Sequence, residues 1–581
     1  AAKDSDIRTA LPPDPAPLPN EPALVRLNDP RSDTTHTAGS VIRQPVAVNL
    51  AAIADWSPQA PFLDHFKTSR PWIGHIAGQW GGAGHDDLAV AGYLDPDGWP
   101  TAIPPELGSI GTVILTDLPE TATSLAGRYL LRFDGDGIVE VLGRGQNVRY
   151  RDGQVWFDYT PGPGSVEIRI QRTDRLHTND YVRNITVVKQ EHLDDYAQGV
   201  LFNPQWLSRI QGFSALRFTG WMATNGSTQV EWTDRPQVTD YTWGRNGVPA
   251  DVMLALASEL NSNPWFSMPH AGSDDYFQQF AQLVADRLTD EQRVYVEYSN
   301  EVWNGQFPQA QWAEDQARAR WGDDDLRMQL YGARAAEMTQ IWREVFGDRA
   351  SDQLVRVMAT QTGWLGLEQQ ILQAPLWVAE HPNNHPPASY FDAYAVTGYF
   401  GGILGFKERA DVVRAWIADS TERASDEARN RGLKGEARRD FIAAHRYDIA
   451  SAQAGLELRD GLISGDPVDT VADLLERVLP YHADIAAAHG MDLIMYEGGS
   501  HVVGIGPMID DTGLTGFFTH LNYTDEMGAL YTELLAGWRA LGGQMFTAYV
   551  DVATPAKWGS WGALRSLDDN NPRWDALVAA K

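Results

Sequence analysis

Cysteine is absent from the chain. That excludes disulfides, thiolate metal sites and a cysteine nucleophile. No run of about 18 apolar residues occurs, so no segment reads as a membrane-crossing helix. Basic residues are scarce: 47 Lys and Arg stand against 77 Asp and Glu, a net charge of −30. Phosphate backbones are bound by clustered Lys and Arg, so no nucleic-acid partner is expected. A polyanionic substrate would likewise be repelled at long range unless a basic cleft received it. The sequence holds no H-E-x-x-H, Walker A or G-x-S-x-G motif, and no G-x-G-x-x-G follows a strand-like run. The acidic stretches D-P-D-G-W and D-D-D-L have too few spaced ligands for a calcium loop. Neither a metal nor a cofactor is expected.

Two short runs carry the chemistry. V-Y-V-E-Y-S-N-E-V-W-N covers 294–304, and M-D-L-I-M-Y-E-G-G-S covers 491–500. Each is an apolar, strand-like run that ends on a glutamate, Glu301 in one and Glu497 in the other. Parallel α/β barrels build active sites from side chains at the C-terminal ends of their strands. Two carboxylates delivered this way suit glycoside cleavage, with one as acid/base and the other as nucleophile.

The rest of the chain supports such a barrel. Residues 1–44 are rich in Pro, Asp, Thr and Arg and lack periodicity, so they are expected to form an extended or partly disordered arm. P-V-A-V-N-L-A-A-I at 45–53 reads as a buried strand, the first of the barrel, and its unit extends to about 70. From 71 to 192 turn signals are dense and short alternating runs recur, among them R-Y-L-L-R-F, I-V-E-V-L and V-E-I-R-I. That pattern predicts an antiparallel β-sandwich. From 193 to 581 strand-like runs alternate with helical patterns. Seven candidate strands lie there, at 214–218, 264–270, 293–298, 354–360, 391–397, 493–497 and 544–549. With the run at 45–53 they make eight. The reading is α/β: a (β/α)8 TIM barrel with an antiparallel β-sandwich inserted after its first strand, and a charged helical insertion at about 405–488. The alternative is a separate sandwich followed by an open, doubly wound sheet.

V-E-Y-S-N-E-V-W-N resembles the end of strand four in the clan A retaining glycoside hydrolases. The acid/base Glu of that clan directly follows an Asn, as Glu301 follows Asn300. Tyr496-Glu497-Gly498 is similar to the clan's nucleophile segment at the end of strand seven. The whole chain, through N-L-A-A-I-A-D-W-S and L-R-F-T-G-W-M-A-T-N, also resembles poorly characterised bacterial proteins described as carbohydrate- or cellulose-binding. The resemblance implies that Glu301 protonates the leaving oxygen and that Glu497 forms the glycosyl-enzyme ester. It implies that Asn300 contacts a sugar 2-hydroxyl and that Arg217 holds the nucleophile ionised. His270 matches a sugar-binding histidine, and Tyr399 in T-G-Y-F-G-G matches a nucleophile partner. Where the family pairs that Tyr with a His two residues earlier, this chain has Thr397. Trp558 or Trp561 would be the sugar platform after strand eight. Trp303, Trp221 and Asp55 are further cleft candidates.

The expected activity is retaining hydrolysis of a β-linked, or geometrically equivalent, polysaccharide or oligosaccharide. The alternatives are a non-catalytic carbohydrate-binding protein on the same scaffold and a transglycosylase. Trp is abundant, at 21 of 581 residues, which suits stacking on sugar rings. The chain opens Ala1-Ala2 without Met, which would suit a removed export signal, so a secreted or periplasmic location is expected.

Overall fold

A computed structural model of the chain describes residues 46–581. The arm expected over 1–44 lies outside the described residues. Eight parallel strands close into a barrel in chain order. They are β1 (Val46–Asn49), β2 (Ala215–Arg217), β3 (Asn263–Met268), β4 (Val294–Tyr298), β5 (Leu354–Ala359), β6 (Ala393–Phe400), β7 (Asp492–Ser500) and β8 (Phe546–Ala548). Closure is made by β1, which pairs Val46 with Phe546 of β8 and Val48 with Leu216 of β2. An open doubly wound sheet is therefore ruled out. The strands are almost wholly buried, as the strands of a closed, side-chain-filled barrel are.

The helices follow from the apolar spacing read in the sequence. Asp274–Arg287 starts where the Ser273 side chain accepts the Tyr276 N–H. It buries Tyr276, Phe277, Phe280, Ala281 and Val284, the three-and-four spacing of one helix face. The last helix, Pro572–Ala580, has Pro at its first position and Asn571 as its cap. No helix among the described residues is long and apolar enough to cross a membrane.

Between β1 and β2 the chain forms two antiparallel sheets, one of four strands and one of five. Val166, Ile168 and Ile170 point inward while Glu167 and Arg169 stay part-exposed, the period-two signature of a half-buried strand. Apolar side chains of both sheets, including Ile110, Val141, Ile168, Leu131, Phe157 and Val187, meet in one core. The sheets thus pack as a sandwich. The strands Ser109–Ile114 and Gln146–Arg151 add to the runs that the alternation revealed.

The sandwich is tied to the barrel by buried polar contacts. Asp64, in the segment after β1, accepts the backbone N–H groups of Phe66 and Val187 at 3.0 and 2.8 Å. Burial pushes its carboxyl up to about 6. Tyr241, from the segment after β2, stacks on Trp72 of the sandwich side at 5.0 Å. Between β6 and β7 the chain is helical, with Lys407–Asn430, Gly435–His445, Asp448–Asp460 and Leu479–His489 as the longer helices. Parallel strands put the loops that follow them on one face, so every segment named here as following a strand emerges on the face where Glu301 and Glu497 lie.

Candidate active site

Arg217 closes the C-terminal end of β2 and is the hub of the site. Its side chain is 0% exposed. Its guanidinium makes a two-point contact with Glu297 of β4, with Nη2 at 2.9 Å from Oε1 and Nε at 3.1 Å from Oε2. Nη1 donates to Glu497 Oε1 at 2.9 Å and to Asn49 Oδ1 at 3.0 Å. Nη2 also donates to Asn300 Oδ1 at 2.9 Å. The planar fork suits this set, because five donors in fixed directions can serve several oxygens at once. The cation lies between the rings of Trp265 and Tyr496, 5.3 and 5.1 Å from their centroids.

Glu497 is therefore gripped on both oxygens. Arg217 holds Oε1, and the Tyr399 hydroxyl donates to Oε2 at 2.9 Å. Burial pushes its carboxyl up from the ordinary value of 4.5 to about 7; Arg217 and Tyr399 pull it down, and the nearby Glu301 charge pushes it up. Burial and the Glu497 charge likewise hold the Tyr399 phenol protonated. Glu301 accepts from the Tyr496 hydroxyl at 2.9 Å and from Asn304 Nδ2 at 3.0 Å. Its backbone sits at φ +42°, in the left-handed region, as does Ser299 at φ +58°. Non-glycine residues held there mark a backbone bent for a purpose elsewhere in the fold. The bend carries the chain out of β4 into the loop and aims Glu301 across at β7.

A bulge sets the other side. In the β6–β7 pairing Val396 faces Met495 and Thr397 faces Glu497, so Tyr496 has no partner across the ladder. In a regular strand neighbours point to opposite faces. The extra residue breaks that alternation. Tyr496 and Glu497 then both reach the same site, one binding Glu301 and the other Arg217.

Both carboxylates line a cleft of about 350 Å³ at the C-terminal end of the barrel. Asn49, Asn225, Asn300, Thr224 and Tyr549 share its wall. Asn300 donates to Asn225 Oδ1 at 3.0 Å, and Gln309 donates to the same oxygen at 2.7 Å. A primary amide has two N–H donors, so one remains on Asn300 for a ligand.

The remaining predicted residues separate. Trp561 lies beside Tyr399 and Tyr549, at 6.0 and 5.7 Å, and stacks on His501 at 5.5 Å. Trp558 instead stands in solvent, 62% exposed, with Lys557 over its ring. Trp221 underlies the cleft, wholly buried against Phe62, Trp206 and Phe218. Trp303 is buried edge-on to Tyr331 and Tyr496, where it backs the tyrosine that holds Glu301. His270 is buried edge-on to Trp312 and is not among the cleft-lining residues. Its carbonyl accepts the Tyr298 hydroxyl. Thr397 turns away, to Thr362, at 2.9 Å. Asp55 is buried in a two-point pair with Arg70, at 2.8 and 3.2 Å, while its carbonyl accepts the Thr116 N–H of the sandwich. It joins the barrel to the sandwich and does not line the cleft. Asp55→Ala is expected to cost about 1–3 kcal/mol of stability, through the buried hydrogen bonds lost. Thermal unfolding checks this, and an unchanged melting temperature would refute it.

Glu297, Asn49, Tyr496 and Asn225 are the participants that sequence reasoning passed over. Glu297 left a signal: it is a charge inside the apolar run V-Y-V-E-Y. A charged residue wholly inside a strand run needs a buried partner. No protein-family model matches the chain, and no curated protein matches it.

Proposed function

We propose that the protein is a retaining glycoside hydrolase acting on β-linked or equatorially equivalent glycans, with Glu497 as nucleophile and Glu301 as acid/base. The observation that carries this reading is that Glu301, three residues past β4, and Glu497, in the C-terminal half of β7, line one cleft. Retaining enzymes place these groups about 5–5.5 Å apart. The roles follow from the partners. Glu497 faces the Arg217 guanidinium, which favours its ionised form against the burial that raises its carboxyl, and so is assigned the attack. Among the described residues Glu301 accepts from neutral donors alone, Tyr496 and Asn304. It carries the proton given to the leaving oxygen, then removes one from the water that opens the ester.

In this reading the Asn300 amide donates to a hydroxyl beside the anomeric carbon; its oxygen is held by Arg217. Trp561, next to Tyr399, offers an aromatic face for the sugar. The barrel enters this reading as a TIM barrel, and the sandwich as an insertion that braces its β1 side. Export to the periplasm or medium would suit a glycan substrate and the acidic composition.

The test is reducing-end release across soluble plant, algal and bacterial polysaccharides, with Glu301→Gln and Glu497→Gln beside wild type. Release from one glycan that both changes remove supports the hydrolase. Affinity for a glycan without turnover by wild type would overturn it and favour a binding protein.

The pH dependence has a defined sign. Glu497 must be ionised to attack, so kcat/KM should rise with pH through about 7. Stability should run the other way. With its carboxyl raised in the fold, the native state binds more protons than the unfolded chain between 4.5 and about 7. The Glu497 contribution to stability therefore falls as pH rises across that window. Melting temperatures of wild type and Glu497→Gln, measured from pH 4 to 8, should differ most at the alkaline end. Parallel curves would contradict the assignment.

A further inference from the structure

Four tryptophans are strongly exposed: Trp56, Trp80, Trp364 and Trp558, at 58, 49, 59 and 62%. Trp80 belongs to the sandwich. The other three are in segments that follow barrel strands, Trp56 after β1, Trp364 after β5 and Trp558 after β8. They therefore share the face that carries Glu301 and Glu497. The closed order of the barrel places β1 diametrically opposite β5. Lys557, whose ammonium lies over Trp558, pairs with Asp510 of the segment after β7 at 2.6 Å. Trp558 and Trp56 thus lie in the β7–β8–β1 sector and Trp364 in the β5 sector, with the carboxylates of β4 and β7 between them.

Exposed indoles lose no water contact usefully unless something flat and apolar covers them. A sugar ring offers such a face on its C–H side. One ring cannot reach both sectors, but a chain of rings can. The charge of the cleft narrows the chain further. Among the described residues lining it there is no Lys, Arg or His, while two carboxylates project into it. Arg217 is fully buried, and its donors go to Glu297, Glu497, Asn49 and Asn300. In the cleft an acidic sugar would meet negative charge without a counter-cation; the cations at the flanks, Arg70 over Trp56 and Lys557 over Trp558, are paired with Asp55 and Asp510, and the molecule bears a net charge of −30.

We infer that the ligand is a long, uncharged polysaccharide laid across the barrel face from Trp364 to Trp56 and Trp558, and that it is cut within the chain rather than from an end. The cleavage part rests on the hydrolase reading; the binding part does not. Trp56 and Trp364 are binding residues in this account, with no part in bond breaking.

Two measurements test it. In native gels containing neutral β-glucan, xylan or mannan, wild type should be retarded by at least one polymer. Gels with alginate or polygalacturonate should leave its mobility unchanged. Trp56→Ala and Trp364→Ala should each weaken the retardation by about tenfold in apparent Kd, with melting temperatures showing that both fold. On the polymer that is cleaved, viscosity should collapse while few reducing ends have appeared, and each Trp change should raise KM more than it lowers kcat. Retardation without turnover would leave the binding site standing and remove the hydrolase. Turnover of short aryl glycosides, with Trp variants binding polymer as wild type does, would overturn the inference and leave the hydrolase. Retardation on acidic polymers alone, or on none, would overturn it as well.

Discussion

If Glu497 is the nucleophile proposed, Glu497→Ala should lower kcat by roughly 10⁴-fold or more while the protein stays folded, because the one other carboxylate among the described cleft-lining residues, Glu301, is the acid/base of that reading. Loss of rate alone does not separate a nucleophile from an acid. Azide does. A small anion can enter the space left by the missing carboxylate and attack the anomeric carbon. With Glu497 gone, azide should restore turnover on an activated aryl glycoside and give the glycosyl azide of inverted configuration. With Glu301→Ala, the ester still forms when the leaving group needs no proton. Azide then attacks the ester, and the product keeps the starting configuration. Loss of Glu301 should slow substrates with poor leaving groups by about 10²–10⁴-fold, the usual range for general acid catalysis. The configuration of the azide product is read by NMR. Interchanged configurations would reverse the two roles, and rescue of neither variant would remove double displacement.

Arg217→Met should be the most damaging single change for stability among the site residues. Met fills a similar apolar volume but leaves Glu297, 1% exposed, without a countercharge. Breaking one half of a buried ion pair costs about 3–5 kcal/mol, because the surviving charge remains out of water. Glu497 would also lose its strongest opposing charge, and its carboxyl would move further up. The variant should melt well below wild type, and any remaining activity should need more alkaline pH. A second change, Glu297→Gln, tests the cause. If the buried charge is responsible, Arg217→Met with Glu297→Gln should regain a good part of the stability without regaining activity. A double variant less stable than Arg217→Met alone would show that Glu297 is held by its remaining donors, Trp265 Nε1 at 2.9 Å and the Ser267 hydroxyl at 3.5 Å.

The two catalytic candidates could be read early because each ends an apolar run, and a barrel has one place for such residues. Roles beyond that divide by how local their cause is. Trp558 and Trp561 are three residues apart in the same Gly-rich loop, and nothing in that stretch separates them. Only contact with Tyr399, Tyr549 and His501 sets Trp561 beside Tyr399, the tyrosine that holds Glu497. Asp55 reads as a cap or cleft residue until Arg70 and the sandwich are placed against it. Trp221 and Trp303 are stacking candidates by type, yet both are buried against neighbouring aromatics.

The sequence by itself determined the parallel eight-stranded barrel, the antiparallel sheets between its first two strands, and two strand-end carboxylates. These follow from hydrophobic period, turn residues and strand spacing, all of which act over a few residues. The tertiary structure alone decided how the carboxylates are held. Arg217 meets Glu297 across 80 residues of chain and Glu497 across 280. The bulge at Tyr496 exists only in register with β6, and it brings Tyr496 and Glu497 to one site. A one-residue shift in register reverses which way every side chain points, and register is set by pairing between distant strands. Local pattern could name the strands and their last residues, but side-chain direction waited for the barrel to close.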